Sequence, residues 1–181
     1  MTDLRTTFDE DAERYNTFRP QYPEALFEKL IKDTGISNHW ELLEIGPGTG
    51  QATKPLAKIG AEITAIELGA ALADIARKEL QQHTNVHVVT GSFEETHLPA
   101  SHYDLIYSAT AFHWVKEEYK FAKTAQLLKP KGYLAIIHTE HISDGHGDAF
   151  HKAGQPILAP ERREEASRTA TGTGPKTATH R

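Results

Sequence analysis

The chain of 181 residues contains no cysteine. That excludes disulfides, thiolate metal centres and thiol nucleophiles, and it suits a reducing compartment, so a cytoplasmic protein is expected. Long apolar runs are missing as well. "GYLAII" at 132–137 is among the longest, far short of the roughly 18 residues of a membrane helix, and no membrane partner is expected. The start, "MTDLRTTFDEDAERY", is acidic where a secretion signal is basic and then apolar. Positive charge is scarce too. The net charge is −5, and because residues 161–181 hold five Lys/Arg against three acids, that stretch is +2 and the remainder −7. Nucleic-acid binding depends on cations meeting phosphates, so a body of this charge argues against nucleic acid as a partner.

What is present is a globular composition: 38% hydrophobic and 25% charged residues, in a length that builds one domain with a real core. Phe27, Leu30 and Ile31 stand at helical spacing between Pro23 and Gly35, which predicts a helix started and stopped by those two residues. An alternation follows. Strands are expected at 41–45, 62–67, 86–89, 103–108 and 133–138, with helices at 51–59, 70–83 and 116–128, and "KPKG" as the turn before the fifth strand. Short Val/Ile/Leu-rich strands alternating with helices imply a parallel sheet covered on both faces. Right-handed crossovers then give an α/β, Rossmann-like doubly wound sheet, which binds ligands beyond the carboxyl ends of its strands, beside strand one.

"LLEIGPGTG" (42–50) lies at that place, with Gly46, Gly48 and Gly50 at every second position. The dinucleotide fingerprint G-x-G-x-x-G fails in both frames, since Gln51 or Thr53 stands where the third glycine belongs. The phosphate loop fails because no glycine is followed by Lys and then Ser or Thr. Two acids remain: Glu44 ahead of the glycines and Glu67 at the end of strand two. Glu67 is placed to accept both hydroxyls of a ribose, and Glu44 stands in the bend where a pyrophosphate would meet a second negative charge. A ligand with a ribose and an ammonium group satisfies both acids, and S-adenosylmethionine has both. Its carboxylate calls for a cation or N–H donors.

"LLEIGPGTG", Glu67, "GSFEETHLP" and "YDLIYSATAFHWV", in this order and spacing, resemble the class I SAM-dependent methyltransferases. "FDEDAERYNTFRPQYP" and "SATAFHW" are similar to a branch of that superfamily, the methyltransferase type 11-like proteins that include trans-aconitate methyltransferases. The resemblance covers residues 8 to about 138. It implies strand order 3-2-1-4-5 and S-adenosyl-L-methionine as cofactor. It implies that Gly46, Gly48 and Gly50 line the methionine part, Glu67 holds the ribose and Leu68 packs on the adenine. Ser92 and Phe93 bracket the adenine edge, Ser92 standing where many relatives carry Asp. Ala109 touches the methionine end, and Tyr15 and Arg19 fold over the site, with Arg19 on the cofactor carboxylate. His113, directly after strand four, is the candidate general base, or else an acceptor contact or a structural residue; Trp114 is read as a hydrophobic wall of the acceptor pocket.

The resemblance also implies two further strands, six and seven, for which the sequence offers no candidate. From Arg162 onward no hydrophobic residue exceeds alanine in size, so residues 161–181 are expected to be a disordered tail behind a methyltransferase domain over 1–160, with 1–35 as its N-terminal helical cap. An edge strand left open invites a homodimer. His138, Glu140, His141, Asp144 and His146 fall within nine residues, but they read as a solvated loop and no metal is expected. The functional expectation is methyl transfer to a small molecule, a carboxylic acid on family grounds. The alternatives are a SAM-binding chain without turnover and an NAD-dependent oxidoreductase, the latter disfavoured by Gln51 and Glu44.

Overall fold

The computed structural model describes residues 21–139. Helix α1 (Glu24–Thr34) opens after Pro23 and closes at Gly35, whose φ of 77° is left-handed and whose N–H donates to the Ile31 carbonyl at 2.8 Å. Glu24 in its first turn and Lys32 in its last complement the helix dipole. Strand β1 (Glu41–Ile45), helix α2 (Thr53–Ala57), strand β2 (Glu62–Glu67), helix α3 (Ala70–Glu79) and strand β3 (Val86–Thr90) build one half of the sheet. Strand β4 (Tyr103–Ala109), a three-residue 3₁₀ turn (Phe112–Trp114), helix α4 (Glu117–Leu127) and strand β5 (Leu128–Ile137) build the other.

All four pairings are parallel and the order is β3-β2-β1-β4-β5, the doubly wound arrangement expected from the strand–helix alternation. β1 lies at the centre, buried from Leu42 to Ile45. Its alternate side chains feed two cores. Leu42 joins Phe27 of α1 and Leu56 of α2 on one face, while Leu43 and Ile45 join Ile106, Phe112 and Leu127 on the other. Both faces of a central parallel strand are therefore dry, a condition that governs every polar side chain on β1.

Three elements depart from the sequence reading, the first being α3, which ends at Glu79 and not at 83. α2 is confined to Thr53–Ala57 instead of 51–59, because the glycine loop runs up to Gly50 with φ of 96° and Pro55 brings no N–H to the first turn. "KPKG" does not precede β5 but is carried within it. β5 advances from Leu128 to Tyr133 while β4 advances only from Tyr103 to Leu105, so the extra residues bulge out. Lys131 takes the left-handed φ of 69° there, and Pro130 has no donor to give the ladder.

No helix among the described residues is long and apolar enough to cross a membrane. The expected tail over 161–181 and most of the cap over 1–35 lie outside the described residues.

Candidate functional site

The chain leaves β1 through Gly46, Gly48 and Gly50, with φ of 69°, 60° and 96°. At Gly46 the requirement for glycine is double. Its φ is left-handed, and a Cβ there would stand 2.4 Å from the Cβ of Ala111, so the loop after β1 and the loop after β4 touch backbone to side chain at a point that admits no methyl group. The Gly46 N–H donates to the Ile66 carbonyl at 2.9 Å, which ties the start of the loop to β2.

Glu67 closes the arrangement. Its carboxylate accepts the Gly48 N–H at 2.8 Å on one oxygen and the Gly69 N–H at 2.9 Å on the other. One acid thus joins the loop after β1 to the start of α3. Glu67 is in this way a strap between the two loops.

Beyond these groups lies a cavity of about 310 Å³. Gly46, Gly48, Glu67, Leu68, Ser92, Phe93, Ala109, His113 and Trp114 all line it. The elements converge as the doubly wound sheet dictates, from the carboxyl ends of β1, β2, β3 and β4. Gly50 and Glu44 are not in the lining. Gly50 faces Leu80, whose side chain would lie 3.1 Å from a Cβ there. Tyr15 and Arg19 fall outside the described residues.

Glu44 shares its side of β1 with Leu42, away from Ile45, which does line the cavity. It is fully buried, and its Oε2 accepts hydrogen bonds from Thr53 Oγ1 at 2.6 Å and Tyr107 OH at 2.8 Å. Its Oε1 has no hydrogen-bond partner among the described residues. Burial raises its pKa to about 7, against the pull of those two hydrogen bonds, and the charge of Glu67 adds to the rise. The acid ahead of the glycines is a buried clamp between α2 and β4 in this arrangement, one layer below the cavity.

Sequence reasoning missed Leu72, Glu94, Thr110 and Ala111, which also line the cavity. Thr110 carried one signal, its place directly after the expected Ala109; its φ of 59° carried none. A β-branched residue in the left-handed region is strained backbone, here held by its own N–H to the Ile137 carbonyl at 2.8 Å and by contact with Tyr22 OH at 3.1 Å. The loop after β3 is pinned by Lys123, whose Nζ donates to the carbonyls of Glu94 at 3.0 Å and Thr96 at 2.7 Å and stands 5.2 Å above the Phe93 ring.

His113 is pushed below its ordinary pKa, first by partial burial and then by the neighbouring His138 and Lys120. The imidazole is therefore neutral at pH 7, with one nitrogen able to accept a proton. Of the histidine-rich group at 138–146, only His138 lies within the described residues. Among those, no group of three or more His, Asp or Glu could hold a metal.

Comparison with known proteins gives a consistent picture. The family model described as "Methyltransferase domain" matches residues 43–136. An uncharacterized methyltransferase of Schizosaccharomyces pombe is 31% identical over 132 residues, 72% of this chain and 51% of that protein. Among solved structures, a SAM-dependent methyltransferase from Aquifex aeolicus superposes with a TM-score of 0.58 at 21% identity, covering 83% of this chain and 86% of that one. A Haemonchus contortus phosphoethanolamine N-methyltransferase, solved with phosphomonomethylethanolamine and S-adenosylhomocysteine, gives 0.62 at 16% identity, covering 91% and 42%. At such identities the likeness is one of fold. The chain spans about half the length of the first curated relatives it matches.

Proposed function

The chain belongs to the methyltransferase-domain family that its residues 43–136 match, and from that premise we propose that it is an S-adenosyl-L-methionine-dependent methyltransferase acting on a small molecule. The observation that carries the reading is the pairing of bare loop backbone with Glu67. Gly46 and Gly48 and the acid at the end of β2 border one cavity of about 310 Å³ beside the first strand. Position 51, where a dinucleotide site has its third glycine, is instead a buried Gln whose Nε2 donates to Thr49 Oγ1 at 2.5 Å.

The residues fit the cofactor's parts. The backbone of Gly46, Gly48 and Ala109 forms the wall for the methionine end, and Glu67 accepts the ribose hydroxyls. Leu68 and the buried Phe93 sandwich the adenine, with Ser92 at its edge. Arg19, whose planar fork suits a carboxylate, is the residue proposed for the cofactor carboxylate, together with Tyr15. When bound, S-adenosylmethionine supplies an electrophilic methyl on a positive sulfonium, so an acceptor atom forms its new bond to carbon as the carbon–sulfur bond breaks and the electron pair stays on sulfur.

The protein's part is then alignment and exclusion of water, and orientation of this kind supplies roughly 7–11 kcal/mol in well-placed reactions. Neutral His113 takes the proton of a hydroxyl or amine acceptor, whereas a carboxylate needs no base. Trp114 walls the acceptor side. A small carboxylic acid is the acceptor class in this reading.

Thermal shift tests the cofactor. A ligand at about 100 times its Kd adds roughly 2.7 kcal/mol of stability, so S-adenosylhomocysteine should raise the melting temperature and NADH should not. A shift with NADH alone would overturn the reading. Methyl release from labelled S-adenosylmethionine over a panel of small carboxylic acids then separates turnover from binding without turnover.

A further inference from the structure

A second cavity of about 210 Å³ lies beyond the first, over the carboxyl ends of β4 and β5 and the first turns of α4. Thr110 and His113 line both cavities, so the two spaces meet at one wall, and that wall contains the strained Thr110 backbone with φ of 59°. Its floor and sides are apolar: Phe112, Phe121, Ile136 and Ile137. Phe112 and Phe121 meet edge to face at 5.6 Å, while Phe121 and Ile136 remain about half exposed. An apolar surface kept open beside a reactive centre is the kind that takes the body of an organic ligand.

The polar groups of this cavity share one character. Lys120, His113 and His138 line it, and among the described residues no carboxylate does. Lys120 is only 16% exposed, with its Nζ 2.8 Å from Oε2 of Glu117, whose side chain is 77% exposed and therefore a weakly held partner. The Lys120 ammonium and the His113 imidazole share this lining, and among the described residues no carboxylate lies between them. Partial burial first, and then the neighbouring His138 and Lys120, lower the proton affinity of His113. Such a cluster is relieved by a bound anion, and in a low-dielectric pocket the attraction is stronger than on the surface.

We propose that this second cavity is the acceptor subsite and that it selects an apolar organic carboxylate, with Lys120 as the charged anchor, His113 and His138 as supporting N–H donors, and Phe112, Phe121, Ile136 and Ile137 around the hydrocarbon body. One permanent cation beside two imidazoles matches a monoanion better than a dianionic phosphate. The inference rests on the proposed methyl transfer only for the word acceptor; the anion site itself is defined by its own lining.

The test uses the full chain and two matched pairs of probes, phenylacetate with phenylacetamide and 4-phenylbutyrate with its amide, titrated with and without saturating S-adenosylhomocysteine. Each acid should bind about tenfold tighter than its amide, the worth of one charge-assisted hydrogen bond. Lys120→Met should bring acid and amide within about twofold while leaving the affinity for S-adenosylhomocysteine and the melting temperature unchanged. Should that variant fail to fold, the wild-type preference must instead fall as sodium chloride rises from 50 to 500 mM, because screening weakens charge contacts and spares the amide. Equal binding of acid and amide, binding of neither, a salt-independent preference, or a preference that survives Lys120→Met overturns the proposal. A chain that prefers the acids but does not bind S-adenosylhomocysteine would keep the anion site and lose the methyltransferase reading.

Discussion

The backbone N–H of Gly48 donates to the carboxylate of Glu67 at 2.8 Å, joining the loop after β1 to the end of β2 across the mouth of the larger cavity. The same carboxylate accepts from Gly69 at 2.9 Å. Glu67 therefore shapes the loop and, in the proposed reading, also holds the ribose. Glu67→Gln disturbs both at once: the amide keeps one acceptor oxygen but turns an N–H toward a backbone donor. Hydrogen bonds to charged groups are worth roughly 1.5–3 kcal/mol each. Removing the ribose contacts and loosening the loop should weaken S-adenosylhomocysteine by at least about 100-fold, measured by isothermal titration. Affinity unchanged within threefold would remove Glu67 from the ribose.

Gly46 makes a steric prediction with its own rescue. Gly46→Ala places a side chain at φ of 69° and 2.4 Å from the Ala111 Cβ. The backbone term costs about 1–2 kcal/mol and the overlap about 1–3 kcal/mol more. Adding Ala111→Gly should return the second part and leave the first, read as urea midpoints at constant m-value. If the double variant is no more stable than Gly46→Ala alone, the contact with Ala111 is not what makes glycine obligatory.

Local chemistry wrote much of this into the sequence, and non-local chemistry wrote the rest. Pro23 and Gly35 bracket α1 because each acts on its own backbone, and the five strands announce themselves by runs of Val, Ile and Leu. The bulge at Lys131 looked like a turn because Pro130 and Gly132 give the same signal in either setting. The place of Glu44 depended on Tyr107, a partner 63 residues away. One clue was available: a carboxylate in the middle of a central parallel strand has no wet face to turn to. The pocket of Lys120, His113 and His138 needed α4 and β5 to be brought together, and no spacing along the chain encodes that.

Lys123 fixes the loop after β3 from behind. With two carbonyls of the 94–96 loop on its Nζ and the Phe93 ring beneath it, it holds the segment that carries Ser92 and Phe93. Burial lowers its pKa, and Glu94 resists that shift. Lys123→Met keeps the packing of the stem and deletes the donors. Hydrogen exchange at Thr96, whose N–H donates to the Ser92 carbonyl at 3.0 Å, should accelerate about tenfold, and S-adenosylhomocysteine should weaken severalfold. Exchange indistinguishable from wild type would show that the loop stands without this anchor.

Glu44 predicts how stability depends on pH. Its pKa rises from 4.5 to about 7 on folding, through burial above all. Between those values the folded chain holds a proton that the unfolded chain has lost, so this group's contribution to stability falls as pH rises through the interval and is lowest above pH 7. At 1.36 kcal/mol per pKa unit the full swing is about 3 kcal/mol. Glu44→Gln imitates the protonated acid at every pH, keeping an oxygen for Thr53 and Tyr107. The variant should match wild type near pH 4.5 and exceed it by about 3 kcal/mol at pH 8. His113 works in the opposite sense, since its lowered pKa means that stability rises with pH as the group passes its folded value and then its unfolded one. Both proteins carry His113, so it cancels in the difference. Urea unfolding of the pair from pH 4.5 to 8 measures that difference, and two parallel curves would mean that Glu44 is already charged in its buried clamp at the lower pH.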